Sequence, residues 1–150
     1  MAGEREARLR RSDFRAFIPI ATRWGDNDVY GHVNNVVYYA FFDTAVGRHL
    51  IEGGALDVAT SDTVGLVVSN SCTFFESVAF PEVIDVGLRV ERLGRSSVTY
   101  QLGVFRAGGD EAAAQGRFVH VYVTRADQRP VAIPEAVLRV LEGLRVGAEK

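Results

Sequence analysis

The segment Asn34–Glu52 constrains the fold more than any other part of this sequence, because it predicts one long helix that needs protein on every side. Asn34 is a good N-cap and the pair Gly53-Gly54 is a stop signal, so the helix would be about 28 Å long at 1.5 Å per residue. Its first half, Val36–Phe42, is apolar almost all the way round. A helix that is apolar on every face must be surrounded by protein. The rest of the chain must therefore wrap around it.

The residues that flank this helix predict a sheet. The candidate strands are rich in β-branched and aromatic residues or alternate apolar and polar side chains, and they lie within Phe14–Trp24, Thr63–Val78, Ile84–Glu91, Ser97–Val104 and Phe118–Thr124. A period of two indicates strands with one buried face, and the short breaks between the last three favour antiparallel pairing. Pro134 predicts a short terminal helix with Val137, Leu138 and Leu141 on its inner face. The predicted fold class is α+β, with an antiparallel sheet of about five strands around one long central helix.

Length and composition limit the class of protein. The 150 residues carry a net charge of −2, which predicts one domain and argues against nucleic acid as the main partner. We expect a charged, flexible arm over residues 1–13 and a single domain over 14–146. No secretory signal and no membrane span are recognisable, and the single cysteine, Cys72, indicates a reducing compartment. These features predict a cytoplasmic protein.

The loop that precedes the long helix contains an unusual number of residues that could take part in catalysis. Two carboxylates, Asp26 and Asp28, lie close to His32 and to Asn34-Asn35. One interpretation is a turn with Asx-type hydrogen bonds and a redundant cap. The other is catalytic, since unpaired N–H groups at a helix start can stabilise an oxyanion while a carboxylate attacks a carbonyl or takes a proton from water.

This set of residues suits some leaving groups better than others. It contains no dedicated acid for an amine or an alcohol. A thiolate needs little such help, because the pKa of a thiol is roughly 8.5. The catalytic interpretation therefore points to an acyl-thioester substrate.

The same residues resemble a known family. The run Asp26–Tyr38, together with Leu93–Ser97 and Arg129–Glu135, is similar to the motifs of the 4-hydroxybenzoyl-CoA thioesterase family of hotdog-fold proteins. The resemblance spans roughly Phe17 to Leu141. It implies the hotdog fold, a homodimer or homotetramer with strands paired across the dimer, and an active site between subunits with CoA along the surface.

The resemblance also implies roles for individual residues. Asp28 would be the catalytic carboxylate, either as nucleophile or as general base. The backbone N–H of Asn35 would face the thioester oxygen, and His32 and Tyr38 match motif positions near the pocket. Asp26 is expected to brace the turn rather than to react.

Substrate-binding residues are expected outside this catalytic set. Arg95, with Ser96 beside it in a family-like loop, is the candidate for the CoA phosphates, and Gly31 and Trp24 complete the set. The chain departs from many relatives at Glu76-Ser77, where they carry Arg-Pro near the expected pocket rim. This departure is expected to affect the choice of substrate rather than the fold. No metal and no cofactor is expected, since CoA is part of the substrate.

The function predicted from the sequence is that of an acyl-CoA thioesterase, which hydrolyses an acyl-CoA to a carboxylic acid and CoA. Two alternatives stay open. One is a hotdog-fold hydratase or dehydratase that pairs Asp28 with His32, and the other is a non-catalytic acyl-CoA-binding protein. The sequence leaves open the acyl group, the choice between CoA and an acyl-carrier protein, and which arginines bind phosphate.

Overall fold

A computed structural model describes residues 6–57, 59 and 61–146 of the chain. Its α-helices are α1 (Val37–Glu52) and α2 (Glu135–Glu142), with short 3-10 turns at Arg11–Asp13 and Trp24–Asp26, and its strands are β1 (Ala16–Ala21), β2 (Thr63–Phe74), β3 (Val83–Leu93), β4 (Ser97–Phe105) and β5 (Ala114–Thr124). The strands form one antiparallel sheet in the order β1-β3-β4-β5-β2. No helix in the described residues is long and apolar enough to cross a membrane.

The concave face of the sheet covers α1. The helix buries side chains along its whole length, namely Tyr38, Phe41, Phe42, Ala45, Val46 and Leu50. They pack against alternate residues of the central strands, including Val86 and Leu88 of β3 and Tyr100 and Leu102 of β4. Each large apolar side chain that is fully buried contributes about 1.5–3 kcal/mol. The predicted α+β hotdog architecture is confirmed.

The predicted start of the long helix is wrong by three residues. α1 begins at Val37, because residues 34–36 form a tight turn instead. The Asn34 side-chain oxygen accepts a hydrogen bond from the Val36 N–H at 3.1 Å, and the Asn34 carbonyl accepts one from the Val37 N–H at 2.9 Å. The asparagine therefore caps this turn, and Asn35 lies outside the regular helix. The predicted terminal helix is confirmed as α2, with Val137 and Leu141 buried.

The described part of the predicted arm lies along the convex side of the sheet, whereas residues 1–5 lie outside the described residues. The Leu9 N–H donates to the Gln115 side chain at 2.8 Å, and the Ala112 N–H donates to the Leu9 carbonyl at 2.9 Å. Phe14 then packs with Phe105 in a second, smaller apolar cluster. The charged, aperiodic sequence of the N-terminal segment did not predict these contacts, because the residues that it contacts lie about a hundred positions further along the chain.

One close approach of two backbones holds β2 against the sheet. Gly116 of β5 faces Cys72 of β2, and a Cβ atom at Gly116 would collide with the Ser71 carbonyl oxygen and lie 2.8 Å from the Phe42 ring. No real Cβ atom sits so close to a backbone oxygen. Only glycine lets β5, β2 and α1 meet here.

We therefore expect Gly116→Ala to lower the free energy of unfolding by about 1–3 kcal/mol, as overpacking of a tight site does. Urea unfolding followed by circular dichroism measures the change. The matched control is Gly47→Ala in α1, where a Cβ meets nothing within 4 Å. This control should be neutral or stabilising by up to about 1 kcal/mol. Equal stability of wild type and Gly116→Ala would contradict the close approach.

Candidate active site

The candidate site lies where two loops meet at one end of the sheet. The first loop joins β1 to α1 over residues 22–36, and the second joins β2 to β3 over residues 75–82. They are tied together, since the Val33 N–H donates to the Val78 carbonyl at 2.7 Å and the Phe80 N–H donates to the Asn27 side chain at 3.0 Å. The start of α1 is held between them.

Asp26 is a structural residue of this loop. Only 2% of its surface is exposed, and its carboxylate accepts hydrogen bonds from the Arg23 backbone N–H at 2.8 Å and from the Arg23 guanidinium at 2.8 and 3.1 Å. Its carbonyl accepts the Asn34 N–H at 2.9 Å. The expectation that Asp26 braces the turn is confirmed.

Asp28 is in a different environment, although it is only two residues further along. It is half-buried, and one carboxylate oxygen accepts the Tyr30 N–H at 2.9 Å. Its N–H donates to the His32 carbonyl at 2.9 Å, and its carbonyl accepts the Gly31 N–H at 3.0 Å. No ion pair within the described residues involves this carboxylate. The Asp28 carboxylate can therefore accept further hydrogen bonds, whereas both oxygens of the Asp26 carboxylate already accept hydrogen bonds from Arg23.

A cleft of about 330 Å³ opens beside this loop. Its walls are His32, Val33, Asn35, Tyr38, Phe74, Phe75, Glu76 and Ser77. Three predicted catalytic residues, His32, Asn35 and Tyr38, are therefore brought together. Asp28 and Gly31 lie on the adjoining turn rather than in the cleft wall, and Asp28 is joined to His32 by a backbone hydrogen bond.

The backbone N–H of Asn35 is available as a donor. The tight turn before α1 uses the N–H groups of Val36 and Val37, and Asn34 donates to Asp26. Within the described residues, the Asn35 N–H makes no hydrogen bond. An unpaired N–H in the wall of a cleft at a helix start can donate to the oxygen of a bound ligand.

Tyr38 forms part of the apolar wall. Its ring meets the Phe74 ring edge to face, with centroids 4.9 Å apart, and only 2% of the residue is exposed. Burial, with the nearby Cys72 and Glu82, raises the pKa of its hydroxyl to about 12. The phenol is therefore protonated at neutral pH and cannot act there as a base.

Glu76 and Ser77 lie in the cleft wall, as expected for the positions that depart from many relatives. The Glu76 carboxylate is paired with the guanidinium of Arg8 and lies 3.6 Å from that of Arg106. Arg8 belongs to the N-terminal segment, and the sequence contains no signal for its approach to the cleft. The charge of Glu76 is therefore partly compensated.

The predicted substrate-binding residues are spread over both ends of the sheet. Trp24 is 82% exposed on the site loop, where its ring lies 5.7 Å from that of Phe80. Arg95 and Ser96 form the turn between β3 and β4, at the opposite end of the sheet from Asp28. Within one chain, Arg95 and Ser96 therefore do not lie near Trp24 and Asp28. Among the described residues, no cluster of His, Cys, Asp and Glu side chains could hold a metal ion.

The two carboxylates of the loop, Asp26 and Asp28, should contribute unequally to the free energy of unfolding. Asp26→Ala removes the hydrogen bonds that the buried Asp26 carboxylate accepts from the Arg23 N–H and guanidinium, so we expect the free energy of unfolding to fall by about 1.5–3 kcal/mol, as for hydrogen bonds to a charged group. Asp28→Ala removes one half-exposed turn contact and should change it by less than about 1 kcal/mol. Denaturant unfolding of both variants checks this ordering, and the reverse ordering would contradict the assigned roles.

Comparison with known proteins gives consistent matches over most of the chain. The family model of the thioesterase-like superfamily matches residues 22–141. The crystal structure of the PA5185 protein from Pseudomonas aeruginosa is 56% identical, with a TM-score of 0.92, and the match covers 95% of this chain and 100% of that one.

Two more distant proteins also match over most of the chain. The YsmA protein of Bacillus subtilis is 24% identical over 123 residues, which cover 81% of this chain and 82% of that protein. The DHNA-CoA thioesterase of Staphylococcus aureus is 18% identical with a TM-score of 0.74, covering 85% of this chain and 87% of that one. At this identity the second match shows a shared fold.

Proposed function

Because this chain belongs to the thioesterase-like superfamily, we propose that it hydrolyses acyl-CoA thioesters to a carboxylic acid and CoA. Within that superfamily we assign it to the 4-hydroxybenzoyl-CoA thioesterase family, on the motif that contains Asp28 and Asn35. The observation that carries the proposal is the Asn35 N–H, which makes no hydrogen bond within the described residues and lies in the wall of a partly aromatic cleft, next to a turn whose half-exposed Asp28 carboxylate accepts the Tyr30 N–H.

The proposed chemistry follows from these two groups. The Asn35 N–H donates to the thioester oxygen and stabilises the negative charge that develops when the carbonyl carbon is attacked. Asp28 either takes a proton from the attacking water or attacks the carbon itself and forms an anhydride that water then hydrolyses. In both routes the C–S bond breaks, CoA leaves as the thiolate, and one water is consumed.

The cleft wall supports an apolar acyl group. Val33, Tyr38, Phe74 and Phe75 provide its apolar side, and the charge of Glu76 is partly compensated by Arg8. A cavity of about 150 Å³ can hold one benzene ring. The volume of about 330 Å³ is thus sufficient for an aryl group or a medium aliphatic chain.

A homodimer would complete the site. β2 is an edge strand that pairs only with β5 in the described chain, and Leu66, Val67 and Val68 on it are 36–57% exposed. Long apolar edge strands tend to pair with a second chain. Two antiparallel β2 strands related by a two-fold axis would bring the Arg95 end of one subunit beside the Asp28 end of the other. This arrangement would unite the two groups of predicted residues.

We expect wild-type protein to release thiol from at least one of a panel of short, medium, long and aryl acyl-CoAs. Asp28→Asn should lower kcat/KM by about 100-fold or more, because the near-isosteric amide is neither a base nor a nucleophile. A chromogenic thiol reagent measures release. The matched control is Asp110→Asn, the same swap at an exposed carboxylate that pairs with Arg10 and does not line the cleft, which should retain wild-type activity.

Other outcomes would change the assignment. Full activity in Asp28→Asn would remove Asp28 from the mechanism. Inactivity of wild type on every thioester, combined with hydration of 2-enoyl thioesters, would favour the hydratase. Inactivity on both, with saturable acyl-CoA binding, would favour the binding protein.

The proposed dimer gives a separate prediction. Val68→Lys places a charge on the free edge of β2, where Val68 is 57% exposed, and should shift the protein from dimer to monomer. Size-exclusion chromatography with light scattering measures the mass. Val83→Lys is the control, since Val83 is 51% exposed but begins β3, an interior strand, and should leave the dimer intact. A monomeric wild type would contradict the proposal.

A further inference from the structure

The described part of the N-terminal segment contacts the wall of the candidate active site through Arg8. The Arg8 guanidinium pairs with the Glu76 carboxylate, and its Cζ atom lies 5.4 Å from the centre of the Phe75 ring. Phe75 and Glu76 both line the cleft of about 330 Å³ beside Asp28. One side chain from the start of the chain therefore contacts two neighbouring residues of the cleft wall.

The position of Arg8 is fixed by hydrogen bonds on both sides of it. Gln115 of β5 is only 1% exposed, and its side-chain amide accepts the Leu9 N–H and donates to the Ala7 carbonyl, both at 2.8 Å. The Nε of Arg8 also donates to the Ala112 carbonyl at 2.8 Å. A buried amide that binds the residues before and after one arginine holds that arginine in a defined place on the sheet.

The cleft residues that Arg8 contacts are anchored next to it. The N–H groups of Phe75 and Glu76 both donate to the Ala113 carbonyl, at 2.8 and 3.0 Å. Since Arg8 donates to Ala112, the two partners of the ion pair are attached to consecutive residues, both of which are fully buried. Most surface ion pairs are weak because two long side chains must be ordered to form them. Here the anchoring has already restricted both partners.

Three carboxylates and two guanidiniums meet at this edge of the cleft. Arg106 lies 2.8 Å from Glu82 and 3.6 Å from Glu76, so Glu82 is its nearer partner. Arg8 is the nearer partner of Glu76, and it lies 3.5 Å from Glu111. Without Arg8, the three carboxylates would face a single guanidinium. Glu76 would then carry the uncompensated charge, and it is the only one of the five that lines the cleft.

We propose that Arg8 is a positioning residue that acts through Glu76 and makes the cleft select an uncharged, apolar acyl group. With Arg8 in place, the wall presents the Phe75 ring and a paired carboxylate to the ligand. An unpaired carboxylate in the same wall would favour a ligand with a positive charge at the end of its acyl chain, since covering an unpaired charge with an apolar group is costly. The inference rests on the proposed function, because it names the substrate class of that site.

The test uses CoA thioethers, which contain no thioester to hydrolyse, so that binding is measured apart from catalysis. S-heptyl-CoA and S-(ω-aminohexyl)-CoA have chains of equal length and differ only in a terminal methyl or ammonium group. S-pentyl-CoA and S-(ω-aminobutyl)-CoA form a shorter pair. Because CoA is common to both ligands of a pair, the ratio of their dissociation constants reports the end of the chain. Isothermal titration calorimetry at low ionic strength, where screening is weakest, measures this ratio.

The expected shifts have opposite signs in the two single variants. Wild type should bind the methyl-terminated ligand of at least one pair more tightly than its ammonium counterpart. Arg8→Ala should shift the ratio about three- to fivefold toward the ammonium ligand, as one partly exposed charge pair allows. Glu76→Gln should shift it in the other direction, since Arg8 then lacks its nearest carboxylate. The double variant Arg8→Ala/Glu76→Gln should restore the wild-type ratio, which a purely structural role of Arg8 would not do.

Arg10→Ala is the matched control. It removes the same charge from the same segment, but the carboxylates that pair with Arg10 are those of Asp110 and Glu111, and neither residue lines the cleft. The ratio should therefore stay at its wild-type value. Arg8→Lys keeps the positive charge and should retain most of the wild-type preference.

Three results would overturn the inference, namely a wild-type ratio in Arg8→Ala, the same shift in Arg10→Ala, and a double variant that stays shifted like Arg8→Ala. Failure of wild type to bind any of the four thioethers would overturn it as well. The hydrolysis assay is decided separately. Shifts as expected in a protein that cleaves no thioester would retain the role of Arg8 and reject the thioesterase, and unchanged ratios in an active enzyme would do the reverse.

Discussion

The packing of the apolar first half of α1 against the concave face of the sheet is the interaction on which the rest of this structure depends. Because Tyr38, Phe41 and Phe42 need cover on several sides, the five strands curve around the helix and two loops close over its start. The burial that stabilises the fold therefore also places a helix start in the wall of a cleft, where the Asn35 N–H makes no hydrogen bond to any described residue. Stability and the candidate site share the same residues.

The site loop shows how environment separates two chemically identical groups. Asp26 is buried, and the hydrogen bonds of Arg23 and Asn34 occupy its carboxylate and carbonyl. The Asp28 carboxylate is half-exposed, and among the described residues it accepts a hydrogen bond from the Tyr30 N–H alone. In the proposed mechanism, Asp26 holds the loop in shape and Asp28 is the carboxylate that acts on the substrate. Pre-organisation of this kind is what a reactive carboxylate needs, because it need not be reoriented during the reaction.

The two ends of the sheet carry different chemistry. The Asp28 end holds the carboxylate, the Asn35 N–H and the partly aromatic cleft, whereas the other end holds Arg95 in an exposed turn. A two-fold pairing of β2 strands would unite them, since antiparallel strands bring opposite ends together.

Much of the fold and of the site loop could be predicted from the sequence, since hydrophobic periodicity and turn formation depend on neighbouring residues. The buried helix, the strands from Thr63 to Thr124 and the motif from Asp26 to Asn35 follow from such local patterns. The start of α1 at Val37 does not follow from a local pattern, because the Asn34 side chain can cap either a tight turn or a helix. Only the packing around Asn34 selects the turn. The sequence by itself determined which side chains could do chemistry. Tertiary structure alone decided that Arg8 reaches Glu76, that Asp26 is buried while Asp28 stays half-exposed, and that His120 lines a cavity, because each depends on how distant parts of the chain pack together.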